Sequence, residues 1–147
     1  MDTGTAGRAR ARVAETGWRR TERDLLAEMR ARGVAVEIDL TSNEVIVGVK
    51  DRAHRILIYR RFGVPYVIST DDPGVARNDL SSEYVLYAGR YRPAYDEVKA
   101  TVFRSIRASF LTDAEKAAQL AALERRFAAF EAGIADLAAT ARRAGGS

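Results

Sequence analysis

Two apolar runs in the first half of the chain read as strands, and each ends on polar residues. The first begins at Gly33 and ends on Thr41-Ser42-Asn43, and the second begins at Gly63 and ends on Ser69-Thr70-Asp71-Asp72-Pro73-Gly74. A segment of helical character, Asp51 to Phe62, lies between them. Short apolar runs bounded by turn residues and separated by helices are typical of strand-helix units. We therefore predict two such units here.

Helical patterns flank these strands. A helix is predicted from about residue 20 to Gly33, with Thr21 or Asp24 as its cap and Leu25, Leu26 and Met29 on its apolar face. After Gly74, a second helix is predicted from about Ser82, capped by Asn78, Asp79 or Ser81, with Glu83 in its first turn. Arg77 and Glu83 either border a site or form a surface pair. A third helix, Tyr95 to Phe110, carries a stripe of Val98, Val102 and Ile106.

The last helix is predicted from about Asp113 to about Arg142, with Thr112 or Asp113 as its cap. Its apolar positions alternate three and four residues apart, which is the spacing of a heptad seam: Leu120, Leu123, Phe127, Phe130, Ile134 and Leu137. Such a seam covers a larger domain, or, if exposed, drives self-association or packing on another chain. Both interpretations stay open from the pattern.

Composition indicates a globular piece rather than a disordered one. The chain has 147 residues, 47% hydrophobic and 30% charged, which is enough for the core of one domain. It has no cysteine, so a disulfide scaffold is excluded, and no apolar run approaches membrane-spanning length. We expect a soluble, cytoplasmic protein with a flexible Arg/Ala/Gly-rich segment over residues 1–19, a folded part over residues 20–143, and a disordered tail over residues 144–147.

The net charge of +4 and the pI near 9.7 raise the possibility of nucleic-acid binding. Five arginines cluster near the N-terminus around Trp18, a possible stacking platform: Arg8, Arg10, Arg12, Arg19 and Arg20. Positive charge alone gives only nonspecific phosphate binding, and no recognition module follows this cluster. A solvated tail is the favoured interpretation, and a weak nucleic-acid binder is kept as an alternative.

The adjacent acids Asp71 and Asp72 are the candidate chemistry of the second strand. Neighbouring side chains on an extended strand point to opposite faces, so these carboxylates would have separate roles, of which metal ligation is one. Asp, Pro and Gly are also the commonest turn residues, so Asp-Asp-Pro-Gly equally predicts a simple turn. The tetrapeptide alone does not decide between a site and a turn.

The wider sequence resembles the C-terminal third of an adenosine deaminase of the zinc-dependent amidohydrolase superfamily. The matching stretches are Gly33 to Asn43, Gly63 to Gly74, Asn78 to Val85, Ser105 to Leu111 and Arg126 to Glu131. The resemblance implies an α/β fold, a partial (β/α)8 TIM barrel made of the last two strand-helix units and the C-terminal helices. It also implies the hydrolytic deamination of adenosine, or a related purine nucleoside, to inosine by a zinc-activated water, whose pKa the metal lowers to about 7.

Site residues follow from the same resemblance. It implies that Asp71 is a zinc ligand and that Asp72 hydrogen-bonds the purine ring. Ser42 and Asn43, at the end of the first predicted strand with Thr41, are implied to lie beside the substrate. No catalytic residue is identifiable in this chain.

The other features that the family needs are absent from this sequence. The family's zinc site draws on several histidines and a glutamate from earlier strands, whereas this chain has a single histidine, His54, and no cysteine. His54 is expected to be a structural or surface residue. A complete barrel takes about 250 residues. We therefore expect a C-terminal fragment that alone neither holds zinc tightly nor deaminates adenosine, with a complementary barrel chain or a second copy as partner. The main alternative is a non-catalytic module that binds a partner or itself through the last helix.

Overall fold

The computed structural model describes residues 21–144, and these divide into two compact units, one ending at Thr101 and one starting at Val102. The N-terminal segment predicted over residues 1–19, with its basic cluster, lies outside the described residues, as do residues 145–147 of the predicted tail. Residue 144 is still helical. Within residues 21–144, no helix combines the length and the hydrophobicity needed to cross a membrane.

The first unit alternates short strands with helices. Its elements are α1 (helical over residues 21–31), β1 (Val36–Ile38), α2 (Leu40–Val47), a 3-10 turn (Asp51–Ala53), α3 (Ile56–Phe62), β2 (Tyr66–Ile68), α4 (Pro73–Ala76), α5 (Leu80–Tyr91) and the first half of α6 (Tyr95–Ala108). β1 and β2 form a parallel two-stranded sheet in which Val36 pairs with Tyr66 and Ile38 with Ile68. The carboxyl ends of both strands therefore lie at the same edge.

The core of this unit is built around β2, whose three residues are all buried. A strand of a parallel sheet covered on both faces reads as a continuous apolar run, as Tyr66-Val67-Ile68 does. Seven buried residues form the core cluster: Ile38, Leu40, Ile56, Tyr66, Ile68, Tyr87 and Tyr91. In α1, Leu26 is buried, but Leu25 is 55% exposed, so the prediction that Leu25 belongs to the apolar face was wrong.

The first strand is shorter than the sequence predicted. β1 ends at Ile38 and α2 begins at Leu40, so Thr41, Ser42 and Asn43 form the first turn of a helix and the prediction that they end a strand was wrong. α2 and α3 end at Gly48 and Gly63, which adopt the left-handed conformation that glycine allows without a Cβ clash.

The second unit contains the end of α6 and the long helix α7 (Asp113–Ala144). Thr112 caps α7 as predicted, because its hydroxyl accepts from the Glu115 N–H while the Glu115 carboxylate accepts from the Thr112 N–H. Along the predicted seam, Leu120, Leu123 and Phe127 are partly buried, and the Phe127 ring stacks on Phe103 at 5.6 Å between centroids. Further along the seam the side chains are more exposed: Phe130 is 55%, Ile134 50% and Leu137 69% exposed.

Candidate functional site

The candidate site lies at the edge of the sheet where both strands end. Asp39 follows β1, and Ser69, Thr70, Asp71 and Asp72 follow β2. The pairing of the strands continues one step beyond β2, since the Ser69 N–H donates to the Ile38 carbonyl oxygen at 3.0 Å. The two polar segments are therefore held side by side.

A hydrogen bond joins the two segments through residues that the sequence singled out. The Ser42 hydroxyl, in the first turn of α2, donates to Asp71 Oδ2 at 2.6 Å. Ser42 is 4% exposed, whereas Asp71 is exposed and has a left-handed backbone with φ of 55°. The structure thus brings together Ser42 and Asp71, with the buried hydroxyl fixing the direction of an accessible carboxylate.

Asp72 occupies the turn that leads into α4. It is the N-cap residue of α4, with Pro73 at the first helical position, and its carbonyl oxygen accepts from the Ala76 N–H at 2.9 Å. Its side chain is exposed and makes no capping hydrogen bond. The backbone of Asp72 and Pro73 therefore forms the turn that the sequence allowed. The Asp72 carboxylate is exposed and is not used by that turn.

Asn43 points to a different partner. Its Oδ1 lies 3.0 Å from Nε2 of His54, whose Nδ1 accepts from the Ile56 N–H at 3.1 Å. Because Nδ1 accepts, the ring proton is on Nε2, and His54 donates to Asn43. His54 is 3% exposed, and burial together with the charge of Arg90 lowers its pKa below 6.5. Of the two predicted alternatives for His54, the structural role is confirmed. A substrate-binding role for Asn43 stays a prediction.

Glu83 is the residue whose place the sequence reasoning missed. Its side chain is completely buried, so neither a pocket border nor a surface pair with Arg77 describes it. Glu83 Oε2 accepts from the Leu40 N–H at 2.8 Å, and Oε1 accepts from the Thr41 N–H at 3.2 Å and from Asn78 Nδ2 at 2.8 Å. Glu83 lies within the matching stretch Asn78 to Val85, but nothing near it in the sequence indicates partners more than 40 residues away.

Asp39 is a second acid that was not singled out. Its Oδ1 is buried without a hydrogen-bond partner among the described residues. Burial raises the pKa of Asp39, a hydrogen bond with Ser69 opposes the rise, and the nearby charge of Asp71 adds to it. A carboxylate directly after β1, matching Asp71 after β2, was the signal that would have found it.

The donor set for a metal is incomplete. Within residues 21–144, no group of three or more His, Cys, Asp or Glu side chains is arranged to hold a metal ion. Asp71 offers one exposed carboxylate, and the only histidine of the sequence is buried and bonded to Asn43. A catalytic zinc needs about three protein ligands, so these residues do not fit a zinc ion by themselves.

Comparisons with known proteins agree with one another. A family model for adenosine deaminase matches residues 12–125. The adenine deaminase of Rhizobium rhizogenes (strain K84) is 33% identical over 101 residues, which are 68% of this chain and 31% of that relative. The chain therefore spans about a third of the length of the curated relative it matches.

Solved structures show the same likeness. The N6-methyl-AMP deaminase of Arabidopsis thaliana is 28% identical with a TM-score of 0.59, over 66% of this chain and 29% of that protein. The Arabidopsis protein ADAL in complex with IMP is 26% identical with a TM-score of 0.60, again over 66% of this chain and 29% of that protein. The adenine deaminase of Arthrobacter aurescens is 21% identical with a TM-score of 0.63, over 71% of this chain and 32% of that protein. At this identity the likeness supports a shared fold and nothing more. The resemblance noted from the motifs is confirmed: this chain belongs to the adenosine deaminase family.

Proposed function

We propose that this chain takes part in the hydrolytic deamination of a 6-aminopurine, as the portion of a deaminase barrel that contains its last two strand-helix units and C-terminal helices. The observation that carries the proposal is the 2.6 Å hydrogen bond from Ser42 to Asp71 at the shared carboxyl edge of two parallel strands. In a barrel, that edge is where the active site lies. A match to about a third of its relatives' length supports the same view.

In this proposal, the residues of the edge have different roles. Asp71 supplies one ligand to a metal, Asp72 hydrogen-bonds the purine ring, and Ser42 and Asn43 lie beside the substrate. Because the described residues hold no complete ligand set, the remaining zinc ligands come from another polypeptide or another part of the full protein. Purified alone, residues 1–147 are expected neither to hold zinc tightly nor to turn over a purine.

The substrate is proposed at the level of the 6-aminopurine. The relatives named above are an adenine deaminase and an N6-methyl-AMP deaminase, and ADAL has been solved with IMP and with GMP. These names cover a free base and nucleotides, so adenosine, the first expectation from the motifs, is one candidate among several. Adenine, adenosine, AMP and N6-methyl-AMP should all be assayed.

A chimera tests the proposal. The 101 matching residues of the Rhizobium rhizogenes enzyme would be replaced by those of this chain, and deamination followed by chromatography of the product bases, nucleosides and nucleotides. We expect turnover of at least one substrate, lost by more than about 100-fold on Asp71→Asn, since even outer-shell partners of a metal ligand cost 10- to 100-fold. Asp96→Asn, an exposed acid in the first turn of α6, is the matched control and should have little effect. A folded chimera inactive on all four compounds contradicts the proposal.

A second candidate function is self-association through the open end of the α7 seam. Its support is the exposure of Ile134 and Leu137 on one apolar stripe. Sedimentation velocity over a range of concentrations tests it, comparing Leu137→Asp with Ala132→Asp, an exposed position outside the seam. If the unmodified chain remains a monomer at high concentration, or if both variants weaken association equally, the seam has no such role.

A further inference from the structure

A closed ring of hydrogen bonds surrounds the point where the two strands end. Glu83 accepts from the backbone of Leu40 and Thr41 on one side and from the amide of Asn78 on the other. Asn78 Nδ2 also donates to the Thr70 carbonyl oxygen at 3.2 Å, and the Ser42 hydroxyl closes the ring onto Asp71. Two routes therefore lead from Glu83 to Asp71. The first passes through the start of α2 and Ser42, and the second passes through Asn78 and Thr70.

The first route fixes the start of α2. Asp39, the N-cap residue of α2, makes no side-chain capping bond, so the free N–H groups of the first turn depend on the distant Glu83 carboxylate. A negative charge at this position is also favoured by the helix dipole. Ser42 is the third residue of α2, so the position of its hydroxyl follows from the anchoring of that turn.

The second route fixes the backbone just before Asp71. Thr70 is held through its carbonyl oxygen by Asn78, which is itself held by Glu83. Asp71 then adopts a φ of 55°, a left-handed conformation that is unfavourable for a residue with a Cβ. Such a conformation persists only where surrounding contacts impose it.

We propose that Glu83, acting with Asn78, is a positioning residue that sets both the backbone and the carboxylate direction of Asp71. The significance of Asp71 as a metal ligand rests on the proposed function, whereas the link from Glu83 to Asp71 rests on the hydrogen bonds alone. Glu83 is fully buried and reaches Asp71 only through the start of α2 and through Asn78 and Thr70.

The chemistry of the ring requires a carboxylate. Leu40 N–H and Thr41 N–H, with the Asn78 amide, present three donors to the two oxygens of Glu83. Glutamine has one acceptor oxygen and brings an NH₂ group that would face these donors. Glu83→Gln therefore keeps the size of the side chain while breaking part of the ring. Asn78→Ala breaks only the route through Thr70.

Nuclear magnetic resonance of the whole chain tests the proposal without any activity. The readouts are the Asp71 amide, Cα and Cβ chemical shifts and the coupling constants that report its φ. Both Glu83→Gln and Asn78→Ala should move these signals. Leu26→Ala is the control, because Leu26 is buried in α1 and its loss should lower the melting temperature without involving the ring. If Glu83→Gln does not fold, Asn78→Ala decides the result.

The possible results separate the two proposals. Unchanged Asp71 signals in the folded ring variants, or equal changes in Leu26→Ala, overturn the positioning role. In the chimera described above, Glu83→Gln should lower kcat/KM by about 10- to 100-fold, as expected for a group that orients a metal ligand. Full activity with Glu83→Gln, while Asp71→Asn abolishes it, removes the positioning role and leaves the proposed function. If the Asp71 signals of the whole chain move in the ring variants but the folded chimera never turns over, the positioning role stands and the proposed function is removed.

Discussion

Replacing Tyr66 with phenylalanine would remove one hydroxyl from a buried polar network at the start of β2. The Tyr66 hydroxyl donates to Glu97 Oε1 at 2.5 Å and lies 2.7 Å from the Tyr87 hydroxyl, while Glu97 Oε2 accepts from Arg60 at 2.7 Å. Tyr66 is 3% exposed and Tyr87 is fully buried, so water does not readily replace the lost group. The substitution keeps the aromatic ring and its packing.

The size of the effect follows from the bonds lost. A hydrogen bond to a charged acceptor contributes about 1.5–3 kcal/mol, and one between neutral groups about 0.5–1.5 kcal/mol. Glu97 keeps its bond to Arg60, so it is not left without a partner. We therefore expect Tyr66→Phe to lower the free energy of unfolding by about 2–4 kcal/mol.

Urea unfolding at neutral pH is the assay, with an unchanged m-value as the sign that only stability changed. Tyr59→Phe is the matched control, because Tyr59 packs against the same core but its hydroxyl makes none of the hydrogen bonds described within residues 21–144. Its effect should stay within about 0.5 kcal/mol. A loss below about 1 kcal/mol for Tyr66→Phe, or equal losses in both variants, would refute the reasoning.

The effect should also depend on pH. Burial raises the pKa of Glu97, but the hydrogen bonds from Tyr66 and Arg60 outweigh it, so the pKa lies below its ordinary value of 4.5. A carboxyl group with a lowered folded pKa contributes stability above its unfolded pKa and loses it as the pH falls through the folded pKa. The difference between the unmodified chain and Tyr66→Phe should therefore shrink below pH 4.5.

Four further substitutions test other parts of the structure. Because burial lowers the pKa of His54 below 6.5, the unfolded chain binds more protons, and the free energy of unfolding should fall as the pH drops below 6.5. His54→Gln should remove that dependence in urea titrations across this range. Gly48→Ala and Gly63→Ala should each cost about 1–2 kcal/mol in urea unfolding because both glycines have positive φ. The two costs should be similar, since a Cβ at Gly63 would only touch the flexible Arg30 side chain, at 3.4 Å, and a Cβ at Gly48 would meet nothing within 4 Å. Thr112→Ala should cost about 1 kcal/mol and speed amide exchange in the first turn of α7, because the Thr112 hydroxyl no longer accepts from the Glu115 N–H or donates to the Glu115 carboxylate.

Features set by neighbouring residues were predictable from the sequence. Thr112 caps α7 through Glu115, and Asp79 caps α5 through Ser82, each three residues away, and both were candidates from the pattern. The apolar run that ends before Asp71 is likewise continuous in the sequence and forms β2. In each case, the stabilising group is close enough in the chain for its spacing to be read.

Features set by distant residues were not predictable. The run through Thr41, Ser42 and Asn43 reads as the end of a strand, yet it begins a helix. Its first N–H groups are satisfied by Glu83, whose sequence separation from Leu40 is 43 residues. The buried state of Glu83 could not be read from its sequence either, because a charged residue in the first turn of a helix is usually exposed. Nor did the sequence pattern show that the Asn43 amide would be engaged by His54.

The bond between Glu83 and the start of α2 also has a consequence for the order in which the first unit is expected to fold. α2 has eight residues and no local side-chain cap, so it is too short to persist as an isolated helix. Its first turn gains its partner only when a loop spanning 43 residues closes, which costs chain entropy before any bond is made. We therefore expect α2 to consolidate after α5 has docked, and the two helices to open together as one cooperative unit in native-state amide exchange.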